Sequence, residues 1–307
     1  MAVFDQQSWF AVKYFLNYAA TYLGYRSTVQ VASPGCSTML NLILHVPHAS
    51  TVIPVDCMGD FLVDPDRLSQ HLVASTDHFT DDLFAISTSG CTTVAFPISR
   101  LVVDPERFED DAEEPMAARG LGVLYECGHD GQRIRGAISP KRRDWYLDRW
   151  YRPHHAALEV AVNRALQSSG SAIIIDCHSY PDIPLAVDLD QSRPRPDGCF
   201  GTSGIHTPSW LVDAGMRFAS SQGWSFGIDR PYAGSIVPMQ HYGKDPRVLS
   251  IMVEVNRKRY MKVEGNHAVK TTGFDETSRF LRGLISELRI EAGVRLNIQE
   301  NSQCRNP

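Results

Sequence analysis

Ala172-Ile173-Ile174-Ile175-Asp176-Cys177-His178-Ser179-Tyr180 opens on an apolar run that reads as a buried strand and places a histidine just past its end. The end of a buried strand is where α/β enzymes build their sites. The pattern occurs earlier as well. Leu42-Ile43-Leu44 reads as a strand and leads into His45-Val46-Pro47-His48-Ala49-Ser50, where Pro47 forces the chain out of regular pairing. A third apolar strand, Ser250-Ile251-Met252-Val253, runs into Glu254-Val255-Asn256-Arg257.

From these three the reading extends along the chain. Strands are predicted over 42–46, 92–96, 171–176, 224–228 and 249–254, and helices over 66–72, 78–88, 140–168, 208–222 and 273–291. Strands alternating with longer helices predict an α/β fold with a central mixed, mainly parallel sheet flanked by helices. Residues 41–295 read as a single domain and 296–307 as a C-terminal tail. Within 1–40, an aromatic segment at 8–24 has helical spacing and precedes a Ser/Pro/Gly linker. It is open whether that segment is an extra helix packed on the domain, a dimer contact or an added leader. Residues 104–139 carry acidic clusters and five glycines; so long an excursion inside a compact domain points to a functional lid.

A chain of 307 residues at 43% hydrophobic composition can bury a large core. A net charge of −5 and scattered Lys and Arg argue against a nucleic-acid surface. Seven cysteines without a CxxC pair read as reduced thiols. No apolar run approaches the roughly 20 residues that span a bilayer, so no membrane partner is expected and a cytoplasmic location is.

Two imidazoles at strand ends, a carboxylate ligand from elsewhere and a free glutamate are what a hydrolytic zinc site requires. His48 and His178 supply the imidazoles and Glu254 the base, each against the plainer reading of a polar residue satisfied by backbone. Asp77, at a predicted helix start, offers the carboxylate, with N-capping as its rival. His45 reads as a core residue or a support for a ligand, and the adjacent His154 and His155 as structural or lid-facing. Arg100 could clamp a substrate carboxylate or pair with Asp104, and Arg257 follows Glu254 closely enough to join the site. The turn Arg230-Pro231-Tyr232-Ala233-Gly234-Ser235 would let backbone approach a ligand at Gly234. Neither GxxxxGK[ST] nor GxGxxG occurs there, and Ser179 lacks a GxSxG elbow, which argues against nucleotide binding and serine hydrolysis.

Six short segments, in order over about residues 42–262, resemble the N-formylglutamate amidohydrolase family, whose fold is related to that of zinc carboxypeptidases (phosphorylase/hydrolase-like). They are Pro47-His48-Ala49-Ser50; Thr76-Asp77 with Asp81; Ser99-Arg100-Leu101-Val102-Val103-Asp104; Asp176-Cys177-His178-Ser179; Pro231-Tyr232-Ala233-Gly234; and Glu254-Val255-Asn256-Arg257 with Tyr260-Met261. The resemblance implies an amide hydrolase, dependent on Zn2+ or another divalent metal, that releases an acyl group from an N-acylated acidic amino acid. By analogy with the carboxypeptidase arrangement it implies His178 as a metal ligand and Glu254 as catalytic base; His48 and Asp77 complete the expected ligand set, Asp77 chosen because the HxxE glutamate is missing. Arg100, Arg107, Arg257, Ser179 and Gly234 are the expected contacts of a small carboxylate substrate. The chain departs from the carboxypeptidase HxxE pattern at Thr51, and from the family's Asn-Arg pair at Glu106-Arg107, which is followed by the long insert at 108–139. The alternatives are a zinc amidase or peptidase of other specificity and a binding protein that keeps the fold; homo-oligomerisation stays open.

Overall fold

The structure, a computed structural model, describes residues 40–303; the aromatic segment at 8–24 and its linker lie outside them. Six strands form the central sheet: β1 (Asn41–Val46), β2 (Cys91–Ala95), β3 (Ala172–Tyr180), β4 (Gly198–Gly201), β5 (Phe226–Ile228) and β6 (Val248–Asn256). Their order is β2-β1-β3-β6-β4-β5. All pairings are parallel except that of β4 with β6, so the sheet is mixed and mainly parallel, as expected. A separate hairpin joins β7 (Met261–Glu264) to β8 (His267–Lys270).

The register explains both the core and the site. Leu42, Leu44 and Val46, Ile173, Ile175 and Cys177, and Leu249, Ile251, Val253 and Val255 line one face. That face packs on α5 (Ser209–Ser221) and α6 (Phe274–Gln303) through Leu211, Leu281, Leu284 and Leu288. On the other face, Ile43, Ile174 and Val248 lie under α4 (Arg152–Ser169), against Leu158, Ala161, Val162 and Ala165. Side chains two apart on a strand share a face. Toward the strand C-termini the same second face therefore changes from apolar to His45, Asp176, His178 and Glu254.

Several boundaries differ from the sequence reading. β3 and β6 run on to Tyr180 and Asn256, so His178 and Glu254 are paired residues within the sheet rather than residues just past it. The helix predicted over 78–88 shrinks to α2 (Thr80–Leu83), because Phe79 enters the left-handed region at φ 65° and starts the turn late. The segment predicted as one helix over 140–168 is α3 (Pro140–Tyr146), a π-helical turn (Leu147–Tyr151) and α4. Pro153 lacks an N–H and crowds the carbonyl four residues back, which a wider turn accommodates. α6 continues to Gln303, past the expected end at 291 and through most of the expected tail.

The excursion at 104–139 has a core of its own: Leu121, Val123, Leu124, Tyr125 and Ile134 pack against Leu101, Val102, Val103 and Tyr146. Arg135 is fully buried there, over the rings of Phe61 (5.0 Å) and Tyr146 (5.4 Å), donating to the carbonyls of Leu101 and Val102. It is a packed wall beside the sheet ends. No helix among the described residues is long and apolar enough to cross a membrane.

Candidate metal centre and cleft

Pro47 follows the last residue of β1, and His48, next in the chain, is buried. α1 (Pro65–Ser75) ends two residues before Asp77, whose N–H donates to the His48 carbonyl at 3.0 Å. His178 comes from the end of β3. Three buried atoms converge: His48 Nδ1 lies 3.3 Å from His178 Nδ1, and Asp77 Oδ2 lies 3.1 Å from His178 Nδ1 and 3.7 Å from His48 Nδ1. Asp77 does not cap α2, whose N-cap is Phe79 without a side-chain bond. Its other oxygen accepts from Arg257 Nη2 at 2.9 Å.

The far nitrogen of each imidazole faces a buried carboxylate: His48 Nε2 lies 2.8 Å from Asp104 Oδ1, and His178 Nε2 lies 3.1 Å from Asp176 Oδ1. Carboxylate partners there hold the ring protons away from the centre and turn the Nδ1 lone pairs inward, as in carboxylate–histidine–metal arrangements. Two lone pairs and a carboxylate oxygen facing one point require a positive charge, from a proton or a metal ion. Ligands bound at about 2.1 Å in a tetrahedral site are separated by ~3.4 Å, which the observed spacings straddle. The donor set thus fits a divalent ion.

The charges follow. Burial alone would push the Asp104 carboxyl up, but the Arg100 guanidinium, His48 and Arg107 hold it well below the usual carboxylate range. Asp77 is likewise held low against its burial by His178, His48 and Arg257. Burial opposes a charge on His178, yet Glu106 and Asp176 raise it well above the ordinary imidazole value.

Glu254, opposite His178 in the register, is buried, and its Oε2 has no hydrogen-bond partner among the described residues. Burial raises its carboxyl to about 8, against the pull of His178. It opens with the three converging residues into a cleft of ≈ 660 Å³, walled on one side by the insert through Leu121, Tyr125 and His129.

The three arginines divide. Arg100 is committed to Asp104 Oδ2 through Nη2 (2.8 Å) and Nε (3.2 Å). Arg257 donates to Asp77, to the Ala74 carbonyl, and to the Ser179 hydroxyl and carbonyl, so the structure spends it on holding protein groups. Arg100 and Arg257, expected to clamp a substrate carboxylate, both line the cleft, but buried acceptors of the chain occupy most of both forks. Arg107 lines the cleft with a buried Nε that has no hydrogen-bond partner among the described residues and lies 3.8 Å from Asp104 Oδ2. Ser179 lines the same cleft, whereas Gly234, at φ 95°, lines a neighbouring one.

His45 bonds Asp176 Oδ1 (2.8 Å) and His154 Nε2 (2.8 Å), and His155 bonds the Pro105 carbonyl (2.8 Å); His45, Glu106 and Asp176 also bring ligand atoms within 4.8 Å of one another. Sequence reasoning passed over Asp176 and treated Glu106 only as a departure. Glu106 Oε2 reaches within 3.0 Å of His178 Nε2, a contact between residues 72 positions apart that no local pattern announces. Asp176 was legible: it stands two residues before His178 on one strand and shares its face.

Comparison with known proteins agrees with this fold. A crystal structure of N-formylglutamate amidohydrolase from Ralstonia eutropha JMP134 superposes with a TM-score of 0.72 at 26% identity, covering 88% of this chain and 98% of that one. A gene product of Agrobacterium tumefaciens shares the fold, with a TM-score of 0.58 at 18% identity over 82% of this chain and 90% of that one. The N-formylglutamate deformylase of Pseudomonas putida is 27% identical over 233 residues, 73% of this chain and 82% of that protein. The sequence pattern of the N-formylglutamate amidohydrolase family matches residues 40–261, which takes in all the converging side chains, and the chain belongs to that family.

Proposed function

We propose that this protein hydrolyses the amide of an N-acylated acidic amino acid, with N-formylglutamate as the substrate its family brings to it, at a divalent metal held by His48, Asp77 and His178. The observation that carries the reading is the convergence of two imidazole nitrogens and a carboxylate oxygen at one buried point beside a glutamate whose Oε2 has no hydrogen-bond partner among the described residues. Zn2+ or another divalent metal, when bound there, would polarise the amide carbonyl and lower the pKa of its water toward about 7. Glu254 takes the proton of the attacking water at Oε2 and returns it to the departing amine nitrogen; a carboxyl raised by burial serves both halves of that exchange near neutrality. Arg107 presents the open guanidinium of the cleft to a substrate carboxylate, and the apolar side chains of the insert keep bulk water from it. Arg257 keeps Asp77 aimed, and Arg100 keeps Asp104 aimed at His48.

The test is formate release by metal-loaded protein from N-formylglutamate and from N-formyl derivatives of neutral amino acids of similar size. The expected result is a preference for the acidic substrate of at least about tenfold, the loss of one charge-assisted contact, together with loss of activity on chelation. Equal rates on all substrates, or full activity without metal, would refute the reading.

A further inference from the structure

A second group of imidazoles stands apart from the sheet ends. His71 projects from α1, and His129 and Asp130 sit at the tip of a small hairpin in the insert. That hairpin is closed by the Cys127–Arg133 bridge and by Gly128 N–H donating to the Gln132 carbonyl at 2.9 Å. His71 Nδ1 and His129 Nδ1 lie 2.8 Å apart, and the ligand atoms of the three side chains are all within 4.8 Å of one another. We propose that His71, His129 and Asp130 form a second divalent-cation site, separate from the centre at the sheet ends, which fastens the insert to α1.

Two observations beyond proximity support this. The approach is tightly built: a Cβ at Gly128 would come within 2.2 Å of His71 Nδ1, so only glycine lets the hairpin tip close on the ring. His71 is fully buried and its Nε2 has no hydrogen-bond partner among the described residues, which leaves Nδ1 as the atom through which the ring engages anything. Two imidazole nitrogens and a carboxylate, with water completing the shell, suit Zn2+ or a similar ion; the two Nδ1 atoms, 2.8 Å apart, would open by about 0.6 Å to reach the ~3.4 Å of a tetrahedral site with bonds of about 2.1 Å. Asp130 is otherwise held by Arg67 of α1 and accepts from Gln132 N–H at 3.0 Å, so its carboxylate already points across the same gap.

The place gives the ion a purpose. His129 lines the rim of the cleft, and α1 ends two residues before Asp77. A cation there ties the insert wall to the helix that delivers a ligand of the first centre. The site is independent of the proposed reaction and survives its failure.

The test uses the full-length chain, stripped of metal and titrated with Zn2+ alone against a chromophoric chelator, with bound metal counted by elemental analysis. Wild type is expected to bind two equivalents. H129A, whose altered side chain is half-buried at a hairpin tip, is expected to bind one, and H129C to regain the second. H48A is expected to lose the other equivalent and keep this one. In the H48A background, Zn2+ should slow amide exchange in residues 127–133 at least tenfold, and in H48A/H129A it should not. An H48A chain that binds no zinc, an H129A chain that binds as much zinc as wild type, or unchanged hairpin exchange would each overturn the proposal.

Discussion

Asp104→Asn isolates what orients the His48 ring. Five donors converge on the Asp104 carboxylate: His48 Nε2 (2.8 Å) and Glu106 N–H (3.0 Å) on Oδ1, and Arg100 Nη2 (2.8 Å), Arg100 Nε (3.2 Å) and the Tyr125 hydroxyl (2.6 Å) on Oδ2. An amide has one acceptor oxygen, and it must face either the first group or the second. Facing the arginine costs less, because Arg100 cannot give up its proton and imidazole can move its own. The new NH2 then meets His48 Nε2, and the His48 proton shifts to Nδ1, the atom aimed at the metal centre. Glu106 N–H also loses its acceptor, at about 1–3 kcal/mol.

Zinc affinity is expected to fall 10–100-fold, about 1.4–2.7 kcal/mol. Loss of the buried charge should cost the metal-free protein about 2–4 kcal/mol, a drop of roughly 5–15 °C in Tm. Tyr125→Phe is the control: it removes a donor from the other oxygen without touching His48, so it should lower Tm and leave zinc affinity alone. The assay is a zinc titration against a chromophoric chelator on both variants, with Tm by calorimetry. A D104N chain whose zinc Kd stays within about twofold of wild type, well inside the effect expected of such a support, would refute the tautomer argument.

How much of this could be read in the sequence depended on whether the determinant was local. β1, β3 and β6 announced themselves because strands buried on both faces carry unbroken apolar runs, as Leu42–Leu44, Ile173–Ile175 and Ile251–Val253 do. β4 did not, because it is only four residues long and begins and ends on glycine, which is depleted in strands. Its glycines are fixed by tertiary contact: a Cβ at Gly198 would strike the Phe226 ring at 2.2 Å, and one at Gly201 the Gly234 carbonyl at 2.2 Å. The same division runs through the site. His48 and His178 could be found because strand ends position them. Asp77 was one candidate among helix-start carboxylates, and what aims it is an arginine 180 residues away. Arginine chemistry in a sequence states what Arg100 and Arg257 can bind, but which carboxylate claims them is decided by the fold.

Three further outcomes are expected. Glu254→Gln keeps the shape but cannot take a proton, so kcat should fall about 10²–10⁴-fold while zinc stoichiometry is unchanged; near wild-type kcat would remove Glu254 from the chemistry. Arg107→Lys keeps the charge and loses the fork, so kcat/KM for an acidic substrate should fall roughly 10–100-fold with little change for neutral ones, and an equal loss on both would exclude a carboxylate contact. The last concerns pH. Burial lowers the His155 imidazole to about 4, with the Pro105 carbonyl pulling the other way. The unfolded chain, with a value near 6.5, takes up a proton between about pH 6.5 and 4 that the folded chain refuses, so this group's contribution is whole above about pH 7 and drains away as pH falls through that window. Between about pH 7 and 4.5 wild type should lose about 2.5 kcal/mol more than His155→Gln, which has nothing to protonate there. Denaturant midpoints measured across that range give the difference directly, and curves for the two proteins that stay parallel would show that the buried ring accepts its proton without opening the fold.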